Sequence, residues 1–164
     1  MICFESCGFV FNFRVAGILF HDGRVLIHRS LRDDYYAFPG GRVEPGEDTA
    51  TTVVREFQEE IGLAVEVVRL LWVNENFFNH EGKSFHELGF YYLLNAKEEA
   101  TIPTGDIFHS TELGEDGRPH LEFRWVEMEK AAGMELYPVF AKTRLGHLPL
   151  SVEHVVEREI PVSG

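Results

Sequence analysis

From Gly40 to Leu63 the chain reads "GGRVEPGEDTATTVVREFQEEIGL". Ala50, Val53, Val54, Phe57 and Ile61 recur at helical spacing, after Pro45-Gly46 and before Gly62. The spacing therefore predicts a helix from Asp48 to Ile61, with acids in its first turn and a stop at Gly62. Glu56, Glu59 and Glu60 share one face at i, i+3 and i+4, and the apolar residues are expected on the opposite side. Like charges so spaced cost roughly a few tenths of a kcal/mol per pair in an isolated helix, whereas a hard divalent cation favours them. Oxygen ligands without His or Cys suit Mg²⁺ or Mn²⁺ rather than Zn²⁺. A solvated helix face is the ordinary alternative for such a triplet. The loop in front weighs against it: Gly40 and Gly41 permit close backbone approach to a ligand, and Glu47 brings another acid near the same face. Arg55 can pair with Glu59 or brace a neighbouring carboxylate, or form only a surface ion pair.

Outward from this stretch, 164 residues suffice for one domain with its own core, and a single mixed α/β domain over residues 1–164 is expected. A net charge of −12 argues against nucleic acid and anionic membranes as partners. An anionic small molecule would need cations to mask that charge. The two cysteines, Cys3 and Cys7, cannot build a disulfide framework or a CxxC metal pair. The N-terminal residues do not resemble a secretory signal and no apolar run is long enough to span a bilayer, so a cytoplasmic location is expected.

Val15–Phe20, the turn His21-Asp22-Gly23 and Arg24–His28 read as a hairpin. Strands are expected at Ala64–Val73, Leu88–Leu94 and Leu121–Val126. The polar stretch between the last two could carry substrate contacts. A second helix is expected after Pro138. "VEHVVEREI" alternates like a strand, with a short helix as the alternative.

Gly41, five residues, Glu47, seven residues and then "REFQEEIGL" from Arg55 to Leu63 resemble the Nudix box, GX5EX7REUXEEXGU, at all nine specified positions. The preceding "YYAFPGG" is similar to the lead-in of that family. The resemblance implies an α/β/α sandwich with a mixed sheet and a hydrolase acting on a nucleoside diphosphate linked to another moiety, with Mg²⁺ or Mn²⁺ as cofactor. It implies Glu56, Glu59 and Glu60 as metal ligands with the Gly41 carbonyl, Arg55 orienting the glutamates and Glu47 supporting them. Glu56 and Glu59 are candidate general bases. Glu122 resembles the extra metal-binding or basic glutamate of several relatives, and Glu112, Glu115 and Glu87 are further candidates. A sensor without turnover is the alternative, but such domains commonly lose box acids that are all present here.

For the substrate, Arg29 and Arg118 are candidate phosphate contacts, with Arg32 and Lys83 behind them. Phe77 and Phe78 are candidate base-stacking residues among the aromatics near Gly82. His86-Glu87 begins like a zinc-protease HExxH, but residue 90 is Phe, and His80 and His86 are expected as surface or pocket residues. A small-molecule nucleotide is the expected partner, and a homodimer the expected assembly.

Overall fold

A computed structural model describes residues 1–159. The elements run β1 (Cys3–Ser6), β2 (Phe9–His21), β3 (Arg24–Ser30), β4 (Tyr36–Ala37), α1 (Thr49–Ile61), β5 (Val65–His80) and β6 (Lys83–Ala96). Then follow β7 (Ile107–His109), β8 (Leu121–Glu127), α2 (Met128–Ala131), β9 (Leu136–Tyr137), α3 (Val139–Lys142) and β10 (Glu153–Arg158). The main path of the sheet is β10-β5-β6-β2-β3-β4-β9, with β1 on β2 and β8 between β3 and β7. The sheet is mixed: β2–β6, β5–β10 and β4–β9 are parallel, and the remaining pairs are antiparallel.

Alternation along β2 divides the interior in two. Val15 and Leu19 pack with Phe57 of α1, Leu94 and Phe123. Ala16 and Ile18 pack with Trp72, Ala131 of α2 and Phe140 of α3. Helices therefore cover both faces, as the α/β/α expectation requires.

The β2–β3 turn narrows to Asp22-Gly23, both at positive φ, as a two-residue hairpin demands. Two strands outrun their expected limits. β5 and β6 extend past Val73 and begin before Leu88, pairing as far as His80 with Lys83 around Glu81-Gly82. Polar Asn76 and Asn79 interrupt the apolar pattern because this arm borders a cleft rather than a core. The helix expected after Pro138 is a single turn, α3. "VEHVVEREI" is a strand over Glu153–Arg158, parallel to β5, and its final Ile160 lies outside the described residues.

Below their last paired residues, Phe20 with Val25 and His21 with Arg24, β2 and β3 part company. Residues 39–43 occupy the opening, where Gly17 N–H donates to Pro39 O at 2.8 Å and Val15 N–H to Gly41 O at 2.9 Å. This insertion carries the chain into α1.

Candidate active site

α1 starts at an Asp48 N-cap, whose Oδ1 accepts the Thr51 N–H at 2.9 Å. The acids expected in the first turn lie just before it, as Glu47 and Asp48. The helix ends where Gly62, at φ 72°, donates its N–H to Gln58 O at 3.0 Å.

The acidic face is not opposite the apolar one. Val53, Phe57 and Ile61 are buried, but so is Glu60, only 8% exposed, because its row lies beside theirs on the helix. Glu59 alone of the three reaches well into solvent, with half its side-chain surface exposed. Arg55 gathers the cluster. Its Nε and Nη2 reach Glu47 at 3.0 Å, and Nη1 reaches Glu56 and Glu59 at 2.9 Å each. Thr52 Oγ1 adds a hydrogen bond to Glu47 at 2.8 Å. The Arg55 bond holds the Glu47 carboxyl below its usual range, and Glu47 foremost raises Arg55 in turn.

Burial pushes Glu60 up to about 8, and the neighbouring Glu56 charge adds to it. Burial also raises Glu56. His28 on β3 approaches Glu60, Nδ1 to Oε2 at 3.8 Å, but burial lowers His28 to about 3, with Arg14 and His120 adding. The two groups meet as neutral partners, too far apart to hydrogen-bond, and both atoms lack any partner among the described residues.

These shifts set the stability of the metal-free chain. Glu60, raised from 4.5 to about 8, contributes fully below pH 4.5 and loses that contribution as pH rises to about 8. His28, lowered from 6.5 to about 3, contributes fully above pH 6.5 and loses it as pH falls toward 3. The slopes cancel between 4.5 and 6.5. Denaturant midpoints measured with chelator are expected to change little there, sloping down only with the raised Glu56 and Glu157 carboxyls. They should then fall by on the order of 2 kcal/mol toward pH 8, where Glu60 acts without His28. A midpoint that rises over that interval would contradict the assignment.

Gly40 and Gly41 each make room for protein. A Cβ on Gly40 would lie 2.1 Å from Val15 O, and one on Gly41 2.3–2.5 Å from the Glu56 carboxyl group. Gly41 thus lets Glu56 lie flat against the backbone, while its carbonyl already accepts one hydrogen bond from Val15 and keeps a second lone pair. Gly41, Glu56 and Glu60 line a cavity of about 440 Å³ with Asn12, Arg14, Arg42, Glu44 and His120. An orphan Glu60 oxygen, a glycine-made berth for Glu56 and an all-oxygen donor set fit a hard divalent ion. Among the described residues no three acidic, His or Cys side chains already converge as a closed cage, because Arg55 holds Glu56 and Glu59.

Other expected residues lie elsewhere. On β3–β8, Arg29 pairs with Glu122 while His28 pairs with Phe123, so Glu122 projects to the side away from His28. Its oxygens are taken by Arg29 at 3.3 Å, Tyr36 OH at 3.1 Å and Arg124 at 3.3 Å. Burial pushes Glu122 up, but the Arg29 and Tyr36 hydrogen bonds outweigh it and hold the carboxyl below its usual range. The structure thus does not bring Glu122 to the helix carboxylates, and it pairs Arg29 with Glu122. Phe77 stacks on His86 at 4.3 Å, and the Arg158 guanidinium sits over its ring at 4.3 Å. Arg118 stands exposed in a turn with its N–H on Asp116. Glu112, by contrast, is near enough to raise both Glu56 and Glu60.

Phe78 does line a cleft, of about 360 Å³, where Phe78 and Phe85 stack at 5.1 Å. Tyr35 and Tyr137 meet edge to face at 5.7 Å on its rim. Asn12, Arg14 and Arg42 line both this cleft and the acidic cavity. Sequence reasoning missed all three. The signal was there for Asn12 and Arg14, two polar residues at strand spacing inside the apolar "FVFNFRVAGILF". Tyr35 and Arg42 sit in loops and carry no such signal.

A family model described as the NUDIX domain matches residues 11–144. The Bacillus subtilis protein YjhB is 30% identical over 111 residues, which are 65% of this chain and 52% of that protein. The Methanocaldococcus jannaschii ADP-ribose pyrophosphatase is 40% identical over 62 residues, 36% of this chain and 37% of that enzyme. The matched part thus spans about half or less of these relatives. The crystal structure of a NUDIX hydrolase from Nitrosomonas europaea superposes with a TM-score of 0.61 over 90% of this chain and 79% of that one, at 15% identity, a likeness of fold.

Proposed function

The chain belongs to the Nudix family, and on that premise we propose that it hydrolyses the phosphoanhydride bond of a nucleoside diphosphate linked to another group. One observation carries this reading: Asn12, Arg14 and Arg42 are common to the acidic cavity and the aromatic cleft. A diphosphate lying across the two arginines would put its nucleoside among the rings and its bridging oxygen beside the carboxylates. Guanidinium groups suit phosphate oxygens through paired N–H donors.

Glu56, Glu59 and Glu60, with the Gly41 carbonyl, are the residues that would hold Mg²⁺ or Mn²⁺. Such an ion screens the diphosphate charge and acidifies a water. Arg55 keeps Glu56 and Glu59 aimed to one side through its bonds to both, with Glu47 anchoring it. The water oxygen bonds to one phosphorus as the P–O–P bond breaks, yielding two phosphate monoesters. The water proton goes to a carboxylate, for which Glu56, Glu59 and Glu112 are the candidates.

A panel of nucleoside diphosphate sugars, dinucleoside polyphosphates and nucleoside triphosphates with Mg²⁺ or Mn²⁺ tests the reading. Release of a nucleoside monophosphate only when metal is present is the expected result. Binding of the panel without cleavage would favour a nucleotide sensor instead.

A further inference from the structure

We propose that the aromatic cleft selects guanine, with the Glu87 carboxylate reading the Watson–Crick edge of the base. The proposal rests on the nucleotide reading above, and it names which nucleotide.

Glu87 on β6 lines the cleft and is only 9% exposed. Its Oε2 accepts the Asn12 amide at 2.7 Å, and Asn12 Oδ1 accepts Arg42 Nε at 2.8 Å. No donor among the described residues is hydrogen-bonded to Oε1. A buried acid is costly unless its acceptors are used. Holding the Asn12 amide needs only one acceptor oxygen, which a Gln would supply equally. The carboxylate adds a second acceptor to a cavity that aromatic side chains also line.

Those side chains come from separate segments. Phe78 and Phe85 lie nearly parallel, 7° apart, on the β5–β6 arm. Tyr35 and Tyr137 form the opposite rim, and His80 bridges the walls through edge contacts with Tyr35 at 5.9 Å and Phe85 at 6.2 Å. A cleft of about 360 Å³ is in the range of small-ligand sites. Aromatic faces accept any base, so the polar groups must discriminate.

A carboxylate offers acceptors only. Guanine presents two adjacent donors, N1–H and the N2 amino group, to the two oxygens. Adenine sets an acceptor, N1, beside its amino donor, and that acceptor would face the carboxylate. Hypoxanthine keeps N1–H but lacks the amino group, and uracil also has a single ring N–H. On the purine's other side, Asn76 and Asn79 line the cleft. Asn79 Oδ1 accepts Ser84 Oγ at 3.1 Å, which leaves its Nδ2 as a donor for O6 or N7 of a purine.

The test is equilibrium binding of GMP, IMP and AMP to the full chain with divalent ions chelated, so turnover plays no part. GMP should bind at least about tenfold tighter than AMP, with IMP between them. Glu87→Gln should bring GMP binding to within about threefold of AMP, and AMP itself should bind no more weakly than to the unaltered chain, because the amide can donate to adenine N1. Equal binding of the three nucleotides to the unaltered chain would overturn the proposal. So would a Glu87→Gln loss shared by GMP and AMP, which would assign Glu87 to holding Arg42 through Asn12. Should Glu87→Gln fail to fold, Asn79→Ala on the exposed arm must narrow the GMP preference, and an unchanged preference overturns the proposal equally. Guanine-selective binding without hydrolysis of any guanosine diphosphate derivative would refute the hydrolase reading and leave this one standing.

Discussion

Glu60→Gln is expected to lower kcat by about a thousandfold or more, roughly 4 kcal/mol of transition-state stabilisation, without unfolding the chain. Burial pushes Glu60 up to about 8, so near neutral pH the metal-free chain already holds this side chain as the uncharged acid. Glutamine has the same shape and the same neutrality, and it removes no ion pair because His28 is also neutral. What it removes is the charge that a divalent ion would draw out. Folding and metal use are therefore separable at this position. Circular dichroism and thermal unfolding should be unchanged, Mn²⁺ affinity should fall in a titration, and turnover should collapse. Turnover within tenfold of the unaltered chain, with Mn²⁺ affinity intact, would remove Glu60 from the metal set. Glu59→Gln is expected to act in the same direction from the solvent side. Glu122→Gln should leave Mn²⁺ affinity alone, because its partners are Arg29, Tyr36 and Arg124.

Gly40→Ala is expected to destabilise the chain by about 3 kcal/mol and to abolish turnover with it. The added Cβ would stand 2.1 Å from Val15 O and 2.7 Å from Ala16 Cα, both backbone atoms in a buried strand. No rotamer change relieves such a contact, so the segment from Pro39 to Val43 must move off β2. That movement breaks the Val15–Gly41 and Gly17–Pro39 hydrogen bonds that set where α1 begins. For a chain of this size the loss corresponds to a fall in Tm of roughly 6–12 °C. Gly146→Ala is the control, since no atom lies within 4 Å of its Cβ position and its backbone is not left-handed. It should stay within about 0.5 kcal/mol of the unaltered chain. A Gly40→Ala chain with unchanged Tm would show that the loop can shift freely, and that its register does not position the carboxylates.

The helix and the carboxylates on it were legible because both depend on spacing. A 3.6-residue period, a Pro-Gly break before it and a glycine stop after it are local properties, and a dense motif survives whatever surrounds it. The Asp22-Gly23 hairpin and the β10 alternation were local for the same reason. The ends of β5 and β6 were not, because the polar residues that continue those strands face a cleft assembled from other segments.

Glu122 and Arg29 show the limit within the site. Both are of the right chemical type, and Glu122 stands at a similar point along the chain to the extra glutamate of relatives. A strand residue faces one side or the other by a single step of register, however, and the pairing of β3 with β8 sends Glu122 to Arg29 rather than to Glu60. Phe77 and Phe78 make the same point one residue apart. The first is in contact with His86 and Arg158, and the second lines the cleft.

By itself, then, the order of residues determined the family, the helix and the carboxylates Glu56, Glu59 and Glu60, since these are matters of periodicity and of chemistry carried on one element. Only the tertiary structure decided that Glu60 is buried beside His28, that Arg14 and Arg42 lie between two cavities, and that Glu87 faces a ring of aromatic side chains. Burial and convergence arise when distant strands are brought into register, and no local pattern encodes which of two strand faces a neighbour will cover.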